Sequence, residues 1–553
     1  MKLNGAQAIV KVLLEQGVDT VFGYPGGQVI PLYNALYDAP LKNILTVHEQ
    51  GAIHAADGYA RASGRTGVCI ATSGPGATNI VTGLATAYLD SVPLVAITGQ
   101  VPVANLGRDS FQEIDIVGVT MPITKYNLLV RRSEDLLPAL RKAFALSQEG
   151  RPGPVLVDIP SNLQVEELEW TEPETAAQAV WSKLPEEKVA AAAEVLNQAQ
   201  HPVLLVGGGA VNSNAAEELV QLAEKADLPV VSTLMGIGVF PADNKHSLGM
   251  TGMHGHIAAN MAVANADVLV VAGSRFSDRV TGDRSRYVGR KTIIQLDIDP
   301  SELDKNIAVG MPLEGDIKTA LQQLLPYVKS RQHAEWFQQI DSWDEQEERK
   351  LLAGNQLTAP WLMECLNEML GAENPIYVTD VGQNQMWAAQ YLKVNQPRHH
   401  LTSGGCGTMG FGMPAALGAS LARPESRVVH ICGDGGFKMT GMELFTACRE
   451  KLPLISIVIN NTCLGMVRQW QQLFYNERYS STLLSEFDFT GFAAACGAQG
   501  RRAATREEFR EALKASLQAG VPCVIEAVIR QEDLVEPMVA PGAVLDDFVK
   551  VDR

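Results

Sequence analysis

The chain is short of positive charge. Its 553 residues contain 45 Lys and Arg against 62 Asp and Glu, which gives a formal net charge of −17. A partner that presents a phosphate backbone needs clustered Lys and Arg, so this balance disfavours nucleic acid as a ligand. Anionic small substrates stay open, because a local site can oppose the field of the whole protein.

Other features are missing as well. No run of 18 or more apolar residues occurs, and the N-terminal segment is too mixed in polarity for a signal peptide, so the sequence predicts no membrane partner. None of the eight cysteines forms a CxxC pair, which favours buried free thiols in a reducing compartment. There are no short repeats, low-complexity tracts or coiled-coil heptads. We therefore expect a cytoplasmic globular protein.

What the sequence does contain is a long alternation of strand and helix signals. The length predicts about three to four domains, and the signals fall into three units at residues 1–165, 188–327 and 358–553. An acidic, proline-containing linker is predicted at 166–187, and a polar helical connector at 329–350. Strands alternating with helices predict an α/β fold in which each unit has a parallel sheet flanked by helices. Ligands are then expected at the carboxyl ends of the strands.

Two strands of the third unit end in residues that suit a metal site. The run VVHICGDGG places Asp434 between glycines, and the run LISIVINN ends at Asn461, 27 residues later. That spacing is about one helix plus one strand, which returns the chain to the same sheet edge. Both side chains could then face one Mg²⁺ with a diphosphate. The alternative is a tight turn at GDG and a helix cap at the asparagines, and the joint spacing disfavours it.

A GDG turn followed by a helix, a strand and NN resembles the signature of enzymes that use thiamine diphosphate. The resemblance implies a glutamate from a different domain at the aminopyrimidine ring, and Glu49 matches it, at the start of a helix after the strand NILTV. Its carboxylate would share a proton with ring nitrogen N1′. Without the motif at Asp434, a lone Glu at a helix start would be read as a cap favoured by the helix dipole.

Nearly the whole chain is similar to the catalytic large subunit of acetohydroxyacid synthase, also called acetolactate synthase. The motifs that carry the resemblance are FGYPGG (22–27), HEQGA (48–52), ATSGPGATN (71–79), DSFQE (109–113), RPGPVLVDIP (151–160), GSRFSDRVTG (273–282), DVGQNQMWAAQ (380–390), GTMGFGMPAA (407–416), GDGG (433–436) and NNTCLGMVRQWQ (460–471). The resemblance implies decarboxylation of pyruvate on thiamine diphosphate. The two-carbon unit would pass to pyruvate or 2-ketobutyrate, in branched-chain amino acid biosynthesis.

The resemblance also assigns roles by position. The catalytic set is Glu49, Gly26, Gly27 and Gln112. The thiamine diphosphate set adds Gln383, Gly407, Met409, Asp434, Gly435, Gly436 and Asn461, with Met409 as the buttress beneath the cofactor. The Mg²⁺ ligands would be Asp434, Asn461 and the backbone carbonyl of Cys463. The substrate pocket would contain Phe111, Lys125, Met253, Met466, Arg279 for a carboxylate and Trp470 to favour 2-ketobutyrate.

A flavin site is implied in the middle unit. The run LLVGGGAV (204–211) puts three glycines at a strand end, a weak signal alone because it lacks a full GxGxxG. The resemblance assigns to FAD Gly207, Gly208, Gly209, Thr233, Leu234, Met253, His254, Gly255, Gly273, Arg275, Asp278, Arg279, Asp297 and Asp316. Acetolactate formation involves no net redox change, so this FAD would be structural. Catabolic acetolactate synthases lack flavin and the SRFSDRVTG and RQWQ patterns, which favours the biosynthetic type.

Several alternatives stay open beside this reading. A pyruvate oxidase shares the architecture, but Arg279 and Trp470 argue against it, and a glyoxylate carboligase would lack the glutamate at position 49. A catalytically silent scaffold would be expected to have lost Glu49, Asp434 or Asn461. The resemblance also implies a homodimer or homotetramer with its active site at the subunit interface, and a possible regulatory small subunit.

The sequence departs from the pattern of the family at three positions. Asn384 and Cys463 stand where His is common, and Cys406 replaces a usual Leu. None of the three removes a predicted catalytic group. Whether the C-terminal tail at 534–549 closes over the site is left open by the sequence.

Overall fold

A computed structural model describes residues 1–172, 183–347 and 349–550. Three six-stranded parallel sheets follow one another along the chain, and a short antiparallel pair accompanies the first of them. The predicted fold class, serial α/β units with parallel sheets flanked by helices, is confirmed. No helix in this described part of the chain combines the length and the apolar character that a membrane crossing needs.

The first unit contains β1 (Lys2–Asn4), α1 (Gly5–Glu15), β2 (Thr20–Tyr24), α2 (Ile30–Tyr37), β3 (Lys42–Leu45), α3 (Glu49–Ser63), β4 (Gly67–Ala71), α4 (Pro75–Asn79), α5 (Val81–Leu89), β5 (Leu94–Gln100), α6 (Ile116–Thr120), β6 (Tyr126–Leu129), α7 (Leu136–Gln148), β7 (Pro154–Pro160), α8 (Ser161–Val165) and β8 (Glu167–Glu169). Its sheet has the order β3-β2-β4-β5-β7-β6. Strands β4, β5 and β7 are buried along their whole length, as expected for a parallel sheet covered on both faces.

The middle unit contains α9 (Glu186–Gln198), β9 (Pro202–Val206), α10 (Gly208–Asn212), α11 (Ala216–Ala226), β10 (Val230–Ser232), β11 (Ser247–Met250), α12 (Ile257–Asn265), β12 (Val268–Ala272), α13 (Asp278–Thr281), α14 (Arg284–Tyr287), β13 (Thr292–Asp297), β14 (Met311–Glu314), α15 (Ile317–Leu324) and α16 (Ala334–Asp344). Its sheet has the order β11-β10-β9-β12-β13-β14. This is the strand order of doubly wound dinucleotide-binding folds, in which ligands lie at the point where the order reverses.

The third unit contains α17 (Ala359–Leu370), β15 (Ile376–Thr379), α18 (Gln383–Tyr391), β16 (His400–Leu401), α19 (Gly412–Ala422), β17 (Val428–Gly433), α20 (Asp434–Thr440), α21 (Leu444–Arg449), β18 (Ile455–Asn460), α22 (Gly465–Phe474), α23 (Phe489–Cys496), β19 (Gln499–Ala503), α24 (Arg506–Gln518) and β20 (Cys523–Val528). Its sheet has the order β16-β15-β17-β18-β20-β19. Counted along the chain, this is the strand order of the first sheet.

The first and third units share one core through helices α3 and α19. A Cβ added to Gly58 of α3 would lie 2.1 Å from the carbonyl oxygen of Ala415, and one added to Gly418 of α19 would lie 1.9 Å from that of Ala55. The two glycines therefore let the helix backbones touch at two reciprocal points. Buried residues of both units, such as Ile53 and Phe411, belong to the same apolar cluster.

The segments predicted as linkers carry more structure than the sequence indicated. Glu167–Glu169 of the predicted linker at 166–187 form β8, which pairs with β1 and so continues the first unit; residues 173–182 lie outside the described part. In the predicted connector, α16 buries Trp336 and Trp343 in the apolar core of the middle unit. The boundaries of the three units stay predictions.

The C-terminal tail crosses from the third unit back to the middle unit. The amide of Val539 donates to the carbonyl of Met253 at 2.7 Å, and the amide of Asp283 donates to the carbonyl of Ala543 at 3.0 Å. Leu545 is buried in the same core cluster as Trp336. The tail is therefore anchored beside residues of the predicted substrate pocket.

Candidate functional site

The predicted metal pair lies together at the carboxyl end of the third sheet. Asp434 follows β17, Asn461 follows β18, and these strands are neighbours that pair in parallel from Val429↔Ile455 to Gly433↔Ile459. A cleft of about 60 Å³ opens between the two strand ends. Of the residues predicted for thiamine diphosphate and metal, it is lined by Gln383, Met409, Asp434, Gly435, Gly436, Asn461 and Cys463.

The Asp434 carboxylate suits a cation. It is buried, and its oxygen Oδ2 has no hydrogen-bond partner among the described residues. Burial raises the pKa of Asp434 to about 6, and the charge of Lys438 opposes that rise. A buried carboxylate with a free oxygen is a ligand that Mg²⁺ favours, and the ion would supply the missing partner.

The other predicted metal ligands are oriented by hydrogen bonds. The Asn461 amide nitrogen donates to Gln383 Oε1 at 3.2 Å, while Asn461 Oδ1 accepts from the amide of Cys463 at 3.3 Å. Burial and the nearby Asp434 raise the pKa of Cys463 to about 12, so its thiol stays neutral and is a poor metal ligand. Asn460 has a different partner, since its amide donates to Glu526 at 2.7 Å. Only the second asparagine of the pair lines the cleft.

Small residues shape the floor of the cleft. A Cβ on Gly435 would lie 2.8 Å from Leu464 Cδ2, and a Cβ on Gly436 would lie 2.5 Å from an oxygen of Asp380. Side chains at these positions would fill the space at the start of α20. The described residues contain no group of three or more His, Cys, Asp or Glu that could hold a metal. A cation here would therefore depend on the single Asp434 carboxylate together with amide, carbonyl and phosphate oxygens, which is the donor set of Mg²⁺ with a diphosphate.

The predicted catalytic residues lie at the equivalent edge of the first sheet. Glu49 begins α3, is half-buried, and accepts a hydrogen bond from Asn79 Nδ2 at 2.9 Å. A Cβ on Gly26 would lie 2.4 Å from Thr72 Cγ2, whereas Gly27 has open space around it. Gln112 has φ of 60°, in the left-handed region, and its Cβ lies 2.8 Å from the Cβ position of Gly74. Together with Phe111, which is 84% exposed, these residues line neither the cleft nor the larger cavity described next.

A cavity of about 1540 Å³ lies at the carboxyl ends of the middle strands. Ligand pockets of about 300–1,000 Å³ hold drug-sized molecules, so this space suits a larger ligand such as a dinucleotide. Of the predicted FAD residues, it is lined by Gly208, Gly209, Thr233, Leu234, Met253, His254, Gly273, Arg275, Asp278, Arg279, Asp297 and Asp316. Gly207 and Gly255 are outside this lining and touch backbone behind it.

One buried polar atom of this cavity is unpaired. His254 Nδ1 is buried without a hydrogen-bond partner among the described residues, and burial beside Arg279 lowers the pKa of His254 to about 4. Burial raises the pKa of Asp297 to about 6. Where β9 and β12 end, a Cβ on Gly273 would lie 2.5 Å from the Cα of Gly209, so only glycines allow this approach. These groups and the bare backbone fit a ligand with both donors and acceptors.

Part of the predicted substrate pocket borders the same cavity. Met253, Arg279, Met466 and Trp470 all line it, and Met466 also lines the cleft beside Asp434. The guanidinium carbon of Arg279 lies 5.4 Å from the centre of the Trp470 ring, and its Nη1 lies 2.9 Å from the sulfur of Met253. Gly407, predicted for thiamine diphosphate, lines this cavity and not the cleft.

Lys125 is the outlying member of the predicted pocket. Its ammonium group contacts the carbonyl of Glu149, and burial lowers its pKa. It lines neither the cleft nor the large cavity of this chain.

Buried carboxylates that sequence reasoning did not single out hold the segments around these sites. Glu443, between α20 and α21, accepts hydrogen bonds from the amides of Val47 at 3.0 Å and His48 at 3.2 Å. It therefore fixes the turn that leads into Glu49 from the opposite unit. No local pattern points to Glu443, because its partners lie almost four hundred residues away along the chain, at separations of 396 and 395.

Comparison with known proteins agrees with this arrangement. Three family models match in order: the thiamine pyrophosphate enzyme N-terminal TPP binding domain at residues 3–119, the central domain at 189–324 and the C-terminal TPP binding domain at 380–527. The chain is 45% identical over 545 residues to the acetolactate synthase isozyme 2 large subunit of Escherichia coli, covering 98% of each protein.

Two further relatives extend the range of organisms. A probable acetolactate synthase large subunit of Methanocaldococcus jannaschii is 44% identical over 570 residues, covering 100% of this chain and 96% of that protein. An acetolactate synthase of Mycobacterium bovis is 44% identical over 565 residues, covering 99% and 91%. Because this similarity spans the full chain and all three units, the chain belongs to the acetolactate synthase large-subunit family of thiamine pyrophosphate enzymes.

Proposed function

We propose that this chain is a biosynthetic acetohydroxyacid synthase. It decarboxylates pyruvate and transfers the resulting two-carbon unit to a second pyruvate, giving 2-acetolactate, or to 2-ketobutyrate, giving 2-aceto-2-hydroxybutyrate. The observation that carries the proposal is the cleft in which buried Asp434, with one free carboxylate oxygen, lies beside Asn461 above two glycines. Full-length similarity to acetolactate synthase large subunits supports it.

Thiamine diphosphate, when bound, supplies the electron sink that decarboxylation of a 2-ketoacid requires. Asp434, Asn461 and the carbonyl of Cys463 would hold Mg²⁺ and the diphosphate. Met409 would support the cofactor from below, and Gln383, which already orients Asn461, would line its pyrimidine side. Glu49 would hold a proton at ring nitrogen N1′. Gly26, Gly27 and Gln112 would close the other side of the reacting centre.

The substrates are anionic, so the site needs a cation. Arg279 borders the large cavity, and its guanidinium can pair with the carboxylate of the second ketoacid. Trp470 packs beside it and would give the acceptor pocket an apolar wall. An extra methylene against such a wall is worth roughly 1–3 kcal/mol, which would favour 2-ketobutyrate about 10- to 200-fold.

FAD is proposed as a structural ligand of the large cavity. The cavity volume of about 1540 Å³, the glycines at its strand ends and the unpaired Nδ1 of His254 all suit a dinucleotide. The reaction needs no net electron transfer, so residues such as Asp316 and Arg275 would only have to hold the flavin in place. This use distinguishes the chain from an oxidase of similar architecture.

The complete active site is proposed to form between two copies of the chain, in a homodimer or homotetramer. Glu49, Gln112 and Phe111 line neither cavity of their own chain, and exposed apolar side chains surround both sheet edges. On the first unit these are Tyr24, Leu45, Val47, Phe111 and Met121, and on the third unit Met439, Met442 and Phe445. Pairing two copies would cover these side chains. A regulatory small subunit is a further proposal, in line with the large-subunit names of the relatives.

Product analysis tests the proposed function. The purified chain is supplied with thiamine diphosphate, Mg²⁺, FAD, pyruvate and 2-ketobutyrate, and acetolactate, acetohydroxybutyrate, acetate and peroxide are quantified. We expect both acetohydroxyacids, with acetohydroxybutyrate in excess, and no peroxide. Acetate with peroxide would show that the flavin accepts electrons and that the chain is an oxidase. No product from a folded chain with all cofactors bound would contradict the proposal for the chain alone.

A further inference from the structure

One loop borders both candidate cofactor sites. Residues 402–411 connect β16 to α19, and within this loop Gly404, Gly405 and Gly407 line the large cavity. Met409, two residues further, lines the cleft beside Asp434. The conformation of this loop therefore controls the shape of both sites at once.

The first end of the loop is held by Asp90, which comes from the first unit. Its oxygens accept hydrogen bonds from the amide of Gly404 at 3.0 Å and the amide of Gly405 at 2.7 Å. The Asp90 side chain is 0% exposed. A Cβ on Gly405 would lie 2.9 Å from the Asp90 carboxylate, so glycine is needed for this contact. Amide donors to a buried charged acceptor form strong hydrogen bonds.

Arg61 of α3 completes this anchor. Its Nη2 donates to Asp90 at 2.9 Å, and its Nη1 donates to the carbonyl of Thr402 at 2.8 Å, so it contacts both the carboxylate and the loop. Asp57, one helical turn earlier, also accepts from the guanidinium. The Arg61 side chain is only 7% exposed. Among the described residues, Arg61 is the one cation between two buried carboxylates, so its removal would leave both of them without a counter-charge.

The second end of the loop is held by Asp380, which follows β15 in the third unit. Its carboxylate accepts from the amide of Gly410 at 3.0 Å and the amide of Gly412 at 2.9 Å. Between the two anchors, Thr408 contacts Thr86 of the first unit, hydroxyl to hydroxyl, at 2.7 Å. The loop is therefore tied at both ends by buried carboxylates, with Gly407 and Met409 between them.

The Asp90 anchor is also part of the wall of the large cavity. Asp90 and its neighbour Leu89 both line it. The carbonyl of Leu89 accepts from Nη2 of Arg275 at 2.7 Å, and Arg275 lines the same cavity. A ligand in the cavity would contact the segment that holds Gly404 and Gly405.

We propose that Asp90 is a positioning residue that fixes the loop at residues 402–411. Through this loop it couples occupancy of the large cavity to thiamine diphosphate binding in the cleft. The identity of the two ligands rests on the proposed function, whereas the anchoring of the loop does not. Asp90 borders the large cavity but does not line the cleft, so it acts on the cleft through the loop.

Hydrogen–deuterium exchange of the full-length protein tests the anchor. In the wild type we expect slow exchange at the amides of Gly404 and Gly405, slower still after FAD is added. Asp90→Asn keeps the shape of the side chain but removes its charge, and should speed exchange in residues 402–407 about tenfold. Asp380→Asn should instead speed exchange at Gly410 and Gly412. If FAD leaves the wild-type loop unchanged, the coupling is wrong, whatever the variants do.

The effect on the cleft is measured by titrating thiamine diphosphate, with Mg²⁺ present, and following protein fluorescence or the shift in Tm. Asp90→Asn should raise the half-saturating concentration about tenfold, while the KM for pyruvate changes less than about twofold. Asp19→Asn is the matched control, because Asp19 also pairs with an arginine, Arg65 just after the end of α3, at 2.8 Å, but lies away from the loop. Its titration and exchange should match those of the wild type.

The outcomes separate the two proposals. The positioning role of Asp90 would be overturned if the Asp90→Asn variant showed the same exchange in the loop and the same affinity for thiamine diphosphate as the wild type. Failure of the wild type to bind thiamine diphosphate would overturn the proposed function while leaving the exchange test of the loop intact. If Asp90→Asn does not fold, the response of the wild-type loop to FAD and the Asp380→Asn variant still decide the question.

Discussion

The first and third sheets have the same strand order but different residues at their strand ends. In the first sheet, β2 leads to Gly26 and Gly27, and the edge strand β3 leads to Glu49 at the start of α3. In the third sheet, the equivalent edge carries Asp434 and Asn461 with a free carboxylate oxygen between buried strands. Under the proposed function, the same architecture would thus present a proton-holding group in one unit and a metal-binding group in the other.

Inside each of the two sheets, a buried acid joins neighbouring strands. In the first sheet, Asp158 of β7 accepts from the Thr98 hydroxyl of β5 at 2.7 Å. In the third sheet, Glu526 of β20 accepts from the Asn460 amide at the end of β18, also at 2.7 Å. Both acids tie neighbouring strands together next to the functional edge. The two sheets therefore share this kind of contact in their interiors and differ in the residues that follow their strands.

The largest expected effect comes from removing the metal-binding group of the third sheet. Asp434→Asn should lower kcat at least about a thousandfold, because the site loses its one carboxylate for Mg²⁺. Thiamine diphosphate with Mg²⁺ should no longer raise Tm. Asp488→Asn is the control, since Asp488 also precedes a helix in this unit but only caps α23 at the surface. A variant at 434 with substantial activity would contradict the division between the sheets.

Removing the proton-holding group of the first sheet should separate binding from turnover. Glu49→Gln should lower kcat about 10²- to 10⁴-fold, the usual contribution of a positioned acid or base. Thiamine diphosphate should still raise Tm, because Asp434 and Asn461 are untouched. Gln50→Ala, at the next position of α3, should behave like the wild type. Equal loss of binding in the two variants at 49 and 434 would break the comparison.

Mixing the two inactive variants tests whether opposite sheets of two copies meet. Glu49→Gln and Asp434→Asn chains, refolded or exchanged at a 1:1 ratio, should form mixed dimers in half of the population. Each mixed dimer would have one intact and one doubly defective site, so about a quarter of wild-type activity should return. Activity that stays at the level of the separate variants would mean that each chain builds its own site.

The segments that follow β5 and β18 offer a finer contrast. The first leads to exposed Phe111, and the second leads to α22, where Trp470 faces Arg279. Trp470→Leu should shift the ratio of acetohydroxybutyrate to acetolactate about tenfold toward acetolactate, because the acceptor pocket loses its apolar wall. Trp361→Leu, a tryptophan of the same unit on α17, should leave the ratio unchanged. An unaltered ratio at 470 would remove that residue from the acceptor pocket.

Protons should compete with Mg²⁺ for the carboxylate of Asp434, at the end of the third sheet. The carboxylate of Asp434 must be ionised to bind Mg²⁺, and burial raises its pKa to about 6. Affinity for Mg²⁺ with thiamine diphosphate should therefore be level above pH 7 and fall about tenfold for each pH unit below 6. Lys438→Met should move this inflection to higher pH, because the lysine charge favours the carboxylate. An inflection near pH 4, unchanged by the substitution, would contradict this origin.

The contact that joins the two sheets should affect stability more than chemistry. Gly58→Ala would place a Cβ 2.1 Å from the carbonyl of Ala415, so it should lower the free energy of unfolding by about 1–3 kcal/mol. Gly371→Ala is the control, because no atom lies within 4 Å of its Cβ position. Denaturant unfolding of both variants measures the difference. A Gly58→Ala protein as stable as the control would mean that α3 and α19 can separate.

Much of this arrangement was predictable, because it depends on local patterns. Buried apolar runs that end in glycine, aspartate or asparagine predicted the parallel strands and the position of the Asp434–Asn461 pair. The resemblance added the thiamine diphosphate class, which the family comparison confirmed. The FAD, Mg²⁺ and substrate roles of individual residues stay predictions, although most of those residues line the two cavities.

The features that were not predicted depend on contacts between segments far apart in the sequence. Asp90 holds amides that lie 314 and 315 residues further along the chain, and Glu443 holds amides from the first unit. No local spacing reports such pairs. The core role of α16 was missed for a related reason, since its two buried tryptophans sit in a strongly polar stretch that reads as a connector.

The reciprocal glycine contact between α3 and α19 sets a waiting time during synthesis. Gly58 leaves the ribosome about 360 residues before its partner Ala415, and at about 5–20 residues per second that interval is about 20–70 seconds. Throughout it, the face of α3 that later packs on α19 has no partner. The newly made first unit therefore waits for the third unit with this part of its core uncovered.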